Sequence, residues 1–233
     1  MLISTSFLSS KNLIHDLREL DKTDTDYIHV DIMDGKFVKK KTMPFKEMRN
    51  IYKYTNKRLD VHLMVKNPKR YIEDYASLNT EYISFHIESD ENIEKNLQLI
   101  KEYGIKSGLA ISPDTEIKEL VPYLPLLNLV LVMSVEPGAG GQDFIVKTKD
   151  KIKELKILLS EYNSDVKISV DGGINDVTKK YCTDCDILVS GSYIINGDDL
   201  QEKIDSLRWI KRRKGYGKEK NSWRTTTSGS CRK

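Results

Sequence analysis

The chain has 233 residues, 39% of them hydrophobic and 31% charged, with a formal net charge of +3. That composition supplies a buried core and excludes a disordered chain, while three cysteines are too few for a disulfide framework in a chain of this length. The longest apolar run, Leu124 to Met133, is broken by Pro125 and Asn128, and MLISTSFLSS lacks the basic start and apolar stretch of a secretory signal, so a soluble, reduced, cytoplasmic protein is expected.

The net charge hides an asymmetry. From Trp209 to Lys233 the chain carries nine Lys or Arg against the single acid Glu219, a local charge of +8 that leaves −5 for residues 1–208. Both tryptophans lie in that segment. Two parts are therefore expected, a folded domain over 1–208 and a basic, disordered tail over 209–233.

Within 1–208, short apolar runs alternate with longer amphipathic ones. Leu2–Thr5 reads as a first strand, followed by a helix capped near Ser9-Ser10 and ending near Leu20. Tyr27–Met33 is the second strand, followed by helical spacing through Phe45, Met48 and Ile51. Leu59–Met64 is the third, and Pro68 opens a helix with Tyr71, Ile72 and Tyr75 on one side. Tyr82–His86 precedes a helix through Ile93, Leu97 and Ile100. Lys106–Ile111 precedes a helix over Thr115–Val121, and Leu129–Met133 precedes a Gly-rich loop and a helix from Lys147 to Tyr162. Lys167–Val170 and Ile187–Val189 complete eight strands, with a last helix from about Asp198.

Strands alternating with helices imply parallel pairing. Eight such units in about 208 residues favour a closed (β/α)8 TIM barrel over an open doubly wound sheet, and no G-x-G-x-x-G follows the first strand. A barrel places its reactive residues at the C-terminal ends of its strands. Polar residues of the right kind stand there. His29 and Asp31, two apart in HVDIMDGKFV, share one side of the second strand. His62 lies near the end of the third strand, in LDVHLMV, and Asp171 ends the seventh, in KISVDGGIN. Two imidazoles and two carboxylates at three strand ends suit one divalent metal ion, Zn²⁺, Fe²⁺, Mn²⁺ or Co²⁺. His86, in SFHIE, is read as a rim or supporting residue, and Cys182 and Cys185 as structural thiols.

Three Gly-rich segments follow consecutive late strands: EPGAGGQ over residues 136–142, Gly172-Gly173, and Gly191 with Ser192. Glycines there let backbone N–H groups approach an anion, which points to phosphate. Met33, Met64 and Met133 stand near the ends of strands two, three and six. They are read as core filling or as an uncharged lining around a reacting carbon.

Taken together, HVDIMDGKFV, LDVHLMV, VMSVEPGAGGQDF, SVDGGIN and VSGSYI resemble the ribulose-phosphate 3-epimerase family in order and over about residues 1–208. The resemblance implies a ribulose-phosphate-binding barrel that isomerises a phosphorylated ketopentose, epimerising C3 of D-ribulose 5-phosphate to D-xylulose 5-phosphate in the pentose phosphate pathway. It implies metal ligation by His29, Asp31, His62 and Asp171, with Asp31 and Asp171 as the two catalytic bases. It also implies substrate or phosphate contacts from Ser6, His62, Gly138, Ala139, Gly140, Gly141, Asp171, Gly172, Gly173, Gly191 and Ser192, and a homo-oligomer, commonly dimeric or hexameric. Departures fall beside the site: Thr5 stands where proline is usual, Glu136 where Asn or Asp is common, Ala139 where a bulky residue is common, and Lys39–Phe45 (KKKTMPF) replaces a Pro-Asn-rich loop. They bear on substrate preference, so D-allulose-6-phosphate 3-epimerase is the alternative activity. Asp60-Val61-His62 lacks the Asp-x-Lys pattern of orotidylate decarboxylase-like barrels, which favours metal chemistry. Aromatic residues interleave the basic tail in the manner of a nucleic-acid contact, but an unstructured extension is the preferred reading.

Overall fold

A computed structural model describes residues 1–89, 92–162 and 164–208. Eight strands close into a parallel barrel in sequence order: β1 (Leu2–Ser6), β2 (Tyr27–Met33), β3 (Arg58–Met64), β4 (Thr80–His86), β5 (Lys106–Ile111), β6 (Leu129–Met133), β7 (Lys167–Asp171) and β8 (Ile187–Ser190). Closure follows from β1 pairing with both β2 and β8, so no strand edge is left open. The helices between them are α1 (Leu13–Asp21), α2 (Phe45–Met48), α3 (Lys69–Ala76), α4 (Ile93–Glu102), α5 (Thr148–Glu161), α6 (Ser192–Ile195) and α7 (Leu200–Leu207). Among the described residues no helix is long and apolar enough to cross a membrane.

The helices bury the stripes their spacing announced. Leu17 and Leu20 of α1, Ile72 and Tyr75 of α3, Leu97 and Ile100 of α4, and Leu155 and Leu159 of α5 all join one core with the outward-facing strand residues. Each such side chain contributes about 1.5–3 kcal/mol by leaving water. Inside the barrel, Tyr82, Leu129 and Ile187 form a separate apolar cluster, and Ala110, Leu131, Met133, Val135 and Val189 form another. The interior is therefore a packed plug, and the reacting groups sit above it.

Three local expectations need correction. Asn12, rather than Ser9 or Ser10, caps α1, its side chain accepting from the His15 backbone N–H at 3.3 Å. The segment after β5 forms a 3₁₀ helix over Ile117–Leu126, which runs past the expected Val121 and through Pro122 and Pro125. The chain after β8 forms two short helices, α6 and α7, where one was expected. At the end of α7, Arg208 Nη2 donates to Asp26 Oδ2 at 2.9 Å and to the Asp24 carbonyl at 2.5 Å, tying the chain back to the base of β1 and β2. The expected tail, 209–233, lies outside the described residues.

Candidate active site

The site begins with strand parity. Residues two apart on a strand face the same way, so β2 turns both His29 and Asp31 inward, and β3 does the same with Asp60 and His62. The β2–β3 register sets His29 beside Asp60 and Asp31 beside His62. Asp171, the last residue of β7, completes the group beside Met133 of β6. One ligand atom from each of His29, Asp31, His62 and Asp171 lies within 4.8 Å of all the others.

Their spacing is informative. His29 Nε2 is 3.5 Å from Asp31 Oδ1 and 3.6 Å from Asp171 Oδ2, and His62 Nδ1 is 3.4 Å and 3.7 Å from the same two oxygens. These separations exceed an ordinary hydrogen bond, about 2.7–3.2 Å. They leave room among the four donor atoms for a cation bound at about 2.1 Å from its ligands. Both nitrogens are buried and have no hydrogen-bond partner. Two orphaned imidazole nitrogens facing two carboxylate oxygens form a donor set that fits a divalent ion.

Each donor is aimed by a neighbour. Asp60 Oδ2 lies 2.8 Å from His29 Nδ1 and accepts from Ser4 Oγ at 2.8 Å, which leaves Nε2 of His29 facing the cluster. Ser6 Oγ donates to Asp31 Oδ2 at 2.8 Å, leaving Oδ1 toward the histidines. The Ser134 backbone N–H donates to the Asp171 carbonyl at 2.7 Å and locks the end of β7 to β6. Burial alone would lower the proton affinity of His29, but Asp60 and Asp31 outweigh it and hold the pKa well above the usual histidine value. His62 behaves alike: burial lowers it, and Asp171 and Asp31 raise it. Burial would raise Asp31, yet His29 and His62 hold it far below the ordinary carboxylate range. His86 goes the other way, pushed down to about 4 chiefly by burial, and is neutral at physiological pH.

Above the cluster opens a cavity. Its wall includes Ser6, Asp31, Asp171 and the three methionines, Met33, Met64 and Met133. The Gly-rich segments meet there as well: Gly138, Ala139, Gly140 and Gly141 from the β6 loop, Gly172 and Gly173 from the β7 loop, and Gly191 and Ser192 after β8. Among the described residues no lysine or arginine lines this cavity. Gly172 is required by its backbone: at φ 118° a Cβ would stand 2.5 Å from Val135 Cγ2. His29 and His62, fully buried, lie beneath the cavity and do not line it.

Sequence reasoning passed over Ser4, Asp60, Ser134 and Glu88. Asp60 carried a readable signal, its two-residue spacing from His62, which repeats that of His29 and Asp31. Ser4 stands likewise two residues before Ser6. Glu88 stands two residues after His86, while Ser134 acts through contacts that no spacing announces. Cys182 and Cys185 are buried free thiols away from the cavity. The contact with Cys182, then burial, raises the Cys185 thiol well above its usual value, so it stays protonated.

Comparison with known proteins agrees with this geometry. Residues 2–195 match the ribulose-phosphate 3 epimerase family. The chain is 36% identical over 214 residues to the ribulose-phosphate 3-epimerase of Helicobacter pylori, with 91% of this chain and 98% of the relative covered. It is 37% identical over 214 residues to that of Escherichia coli, with 89% and 94% covered. Among solved structures, the 3-hexulose-6-phosphate synthase of Salmonella typhimurium superposes with a TM-score of 0.63 at 17% identity, covering 89% of this chain and 96% of that one, a likeness of fold alone. The chain belongs to the ribulose-phosphate 3-epimerase family of enzymes.

Proposed function

We propose that this chain epimerises C3 of D-ribulose 5-phosphate to give D-xylulose 5-phosphate, with Asp31 and Asp171 as the two groups that exchange the proton. The observation that carries this reading is the pair of carboxylates held 3.4–3.7 Å from two partnerless imidazole nitrogens at the foot of a glycine-walled cavity. His29 Nε2, His62 Nδ1, Asp31 Oδ1 and Asp171 Oδ2 would hold one divalent ion, Zn²⁺, Fe²⁺, Mn²⁺ or Co²⁺. When bound, that ion supplies Lewis-acid stabilisation of negative charge on the ketone and hydroxyl oxygens beside the reacting carbon.

The chain's own residues do the rest. Backbone N–H groups of the segments around Gly138–Gly141, Gly172-Gly173 and Gly191-Ser192 grip the phosphate, fixing the sugar's far end and so the position of C3. Asp31, oriented by the Ser6 hydroxyl, accepts the C3 proton of the ribulose epimer. Asp171, on a strand separated from β2 by β8 and β1, returns a proton to the opposite face, and the roles exchange in the reverse direction. Met33, Met64 and Met133 wall the reacting carbon with uncharged, polarisable surface and exclude water. A homo-oligomer in the cytoplasm, with no nucleic-acid partner, completes the reading, and light scattering measures the assembly.

A coupled assay on D-ribulose 5-phosphate, run beside D-allulose 6-phosphate, tests the substrate. In D₂O the product carries deuterium at C3 from the start of turnover. Asp31→Asn lowers kcat by about 10²–10⁴ while inorganic phosphate still inhibits at the wild-type concentration. Wild-type epimerisation by that variant overturns the two-base scheme, and faster turnover of the allulose ester overturns the substrate assignment.

A further inference from the structure

His62 has a second partner beyond the cluster. Its Nε2 lies 3.0 Å from Nε2 of His86, the last residue of β4, and His86 Nδ1 lies 3.0 Å from Glu88 Oε2. Both imidazoles are fully buried, and the Phe37 ring packs on His86 at 4.8 Å between centroids. Glu88 is fixed from its other side: Oε1 accepts from the Ser112 backbone N–H at 2.8 Å and from the Thr115 hydroxyl. That loop is anchored in turn by Lys151 of α5, whose Nζ donates to the carbonyls of Ser112, Pro113 and Thr115 at 2.9, 2.6 and 2.6 Å.

Donor and acceptor counting then assigns each proton. An ionised carboxylate only accepts, so His86 Nδ1 carries the hydrogen toward Glu88, with Ser112 Oγ a weaker second contact at 3.4 Å. A neutral His86 so arranged has a bare Nε2, which accepts from His62 Nε2–H. In neutral His62, the form that ligates a cation, the one hydrogen then sits on Nε2 and leaves Nδ1 bare, the atom that faces Asp31 and Asp171 without a hydrogen-bond partner. With the opposite polarity His86 would donate to His62, and the hydrogen of His62 would sit on Nδ1, where it blocks ligation. Asp60 does the corresponding service for His29 in one step. The two ligand histidines are thus each governed by a carboxylate, one directly and one through an intervening imidazole.

We propose that His86 and Glu88 are positioning residues for the metal centre, selecting the tautomer of His62 and thereby setting the affinity for the divalent ion. The proposal rests on the metal reading above. Its test is the affinity of the metal-free full chain for Zn²⁺, measured against a chromophoric chelator at fixed neutral pH, alongside the melting temperature of each metal-free variant. His86→Phe removes the acceptor from His62 Nε2–H and weakens Zn²⁺ binding by about 10–100-fold. His86→Gln, whose Oε1 accepts the same hydrogen, recovers most of that loss. Glu88→Gln turns an amide NH₂ toward either His86 or the Ser112 and Thr115 donors, and its affinity falls between the two. If His86→Phe does not fold, Glu88→Gln, a change at an exposed residue, decides alone. Wild-type affinity in His86→Phe, or in Glu88→Gln where His86→Phe does not fold, overturns the relay while leaving the metal site standing. A wild-type chain that takes up no Zn²⁺ overturns the metal reading, and the relay falls with it.

Discussion

Gly173→Ala probes how closely the loops after β6 and β7 must approach for the cavity to form. Gly173 has φ 63°, and a Cβ there would stand 2.5 Å from the Phe144 backbone nitrogen and 2.9 Å from the Gln142 carbonyl oxygen. Both obstacles are main chain, so no side chain can swing away. Reaching the 3.4 Å at which ordinary contact begins requires a shift of about 0.9 Å, from 2.5 Å, in the segment that carries Gly138 to Gln142. The left-handed backbone costs about 1–2 kcal/mol for a residue with a Cβ, and the overpacking about 1–3 kcal/mol more. The sum, about 2–5 kcal/mol, lowers Tm by roughly 5–15 °C in a domain of this size. A displacement near 1 Å in a substrate-positioning loop costs up to about 10²-fold in catalytic efficiency, and we expect it mostly in KM for the phosphorylated sugar. Zn²⁺ affinity stays near wild type, since Ser134 holds the end of β7 independently. Calorimetry and a coupled assay read these out together. A variant with wild-type Tm and wild-type KM would refute the claim that this approach builds the anion grip.

Three more perturbations follow from the same contacts. Asp60→Ala strands the His29 Nδ1 donor and the Ser4 hydroxyl; chelator competition should show Zn²⁺ affinity reduced about 10–100-fold, with unfolding free energy in urea lower by about 1–3 kcal/mol. For Glu88, burial raises the carboxyl pKa, but hydrogen bonds from His86, Thr115 and Ser112 outweigh it and bring it from 4.5 to about 2. A folded-state pKa below the unfolded one stabilises above pH 4.5 and loses that contribution as pH falls toward 2. The metal-free wild type should therefore exceed Glu88→Gln by about 1–2 kcal/mol at pH 6, a figure reduced for solvent screening of a partly exposed group, and the gap should narrow by pH 3. A chain ending at Arg208 should keep wild-type kcat/KM and Tm, whereas one ending at Leu207 loses the bonds to Asp24 and Asp26 and should melt lower by a few degrees in calorimetry, about 1–2 kcal/mol.

Much of this protein was written in its periodicities. Strand and helix alternation through residues 1–208 implied the closed barrel, since parallel strands need crossovers and eight of them fill the circle. His29 with Asp31, His62 and Asp171 were legible because strand ends are where a barrel places its chemistry, and the glycine segments because they follow three consecutive late strands. The stretch after β5 was legible as helical over Thr115–Val121, while its 3₁₀ form and its extension through Pro122 and Pro125 to Leu126 were not.

Other features depended on the barrel closing. That four side chains from β2, β3 and β7 meet with their donor atoms within 4.8 Å is a consequence of register and strand tilt, which no single segment contains. Which nitrogen of each histidine faces the cluster is set by Asp60 in one case and by His86 and Glu88 in the other, partners brought in from neighbouring strands. Local sequence specifies which groups are available and which side of a strand they take, because side-chain alternation is a property of the backbone itself. Proton positions and donor separations belong to tertiary structure, because they depend on atoms that only folding makes neighbours.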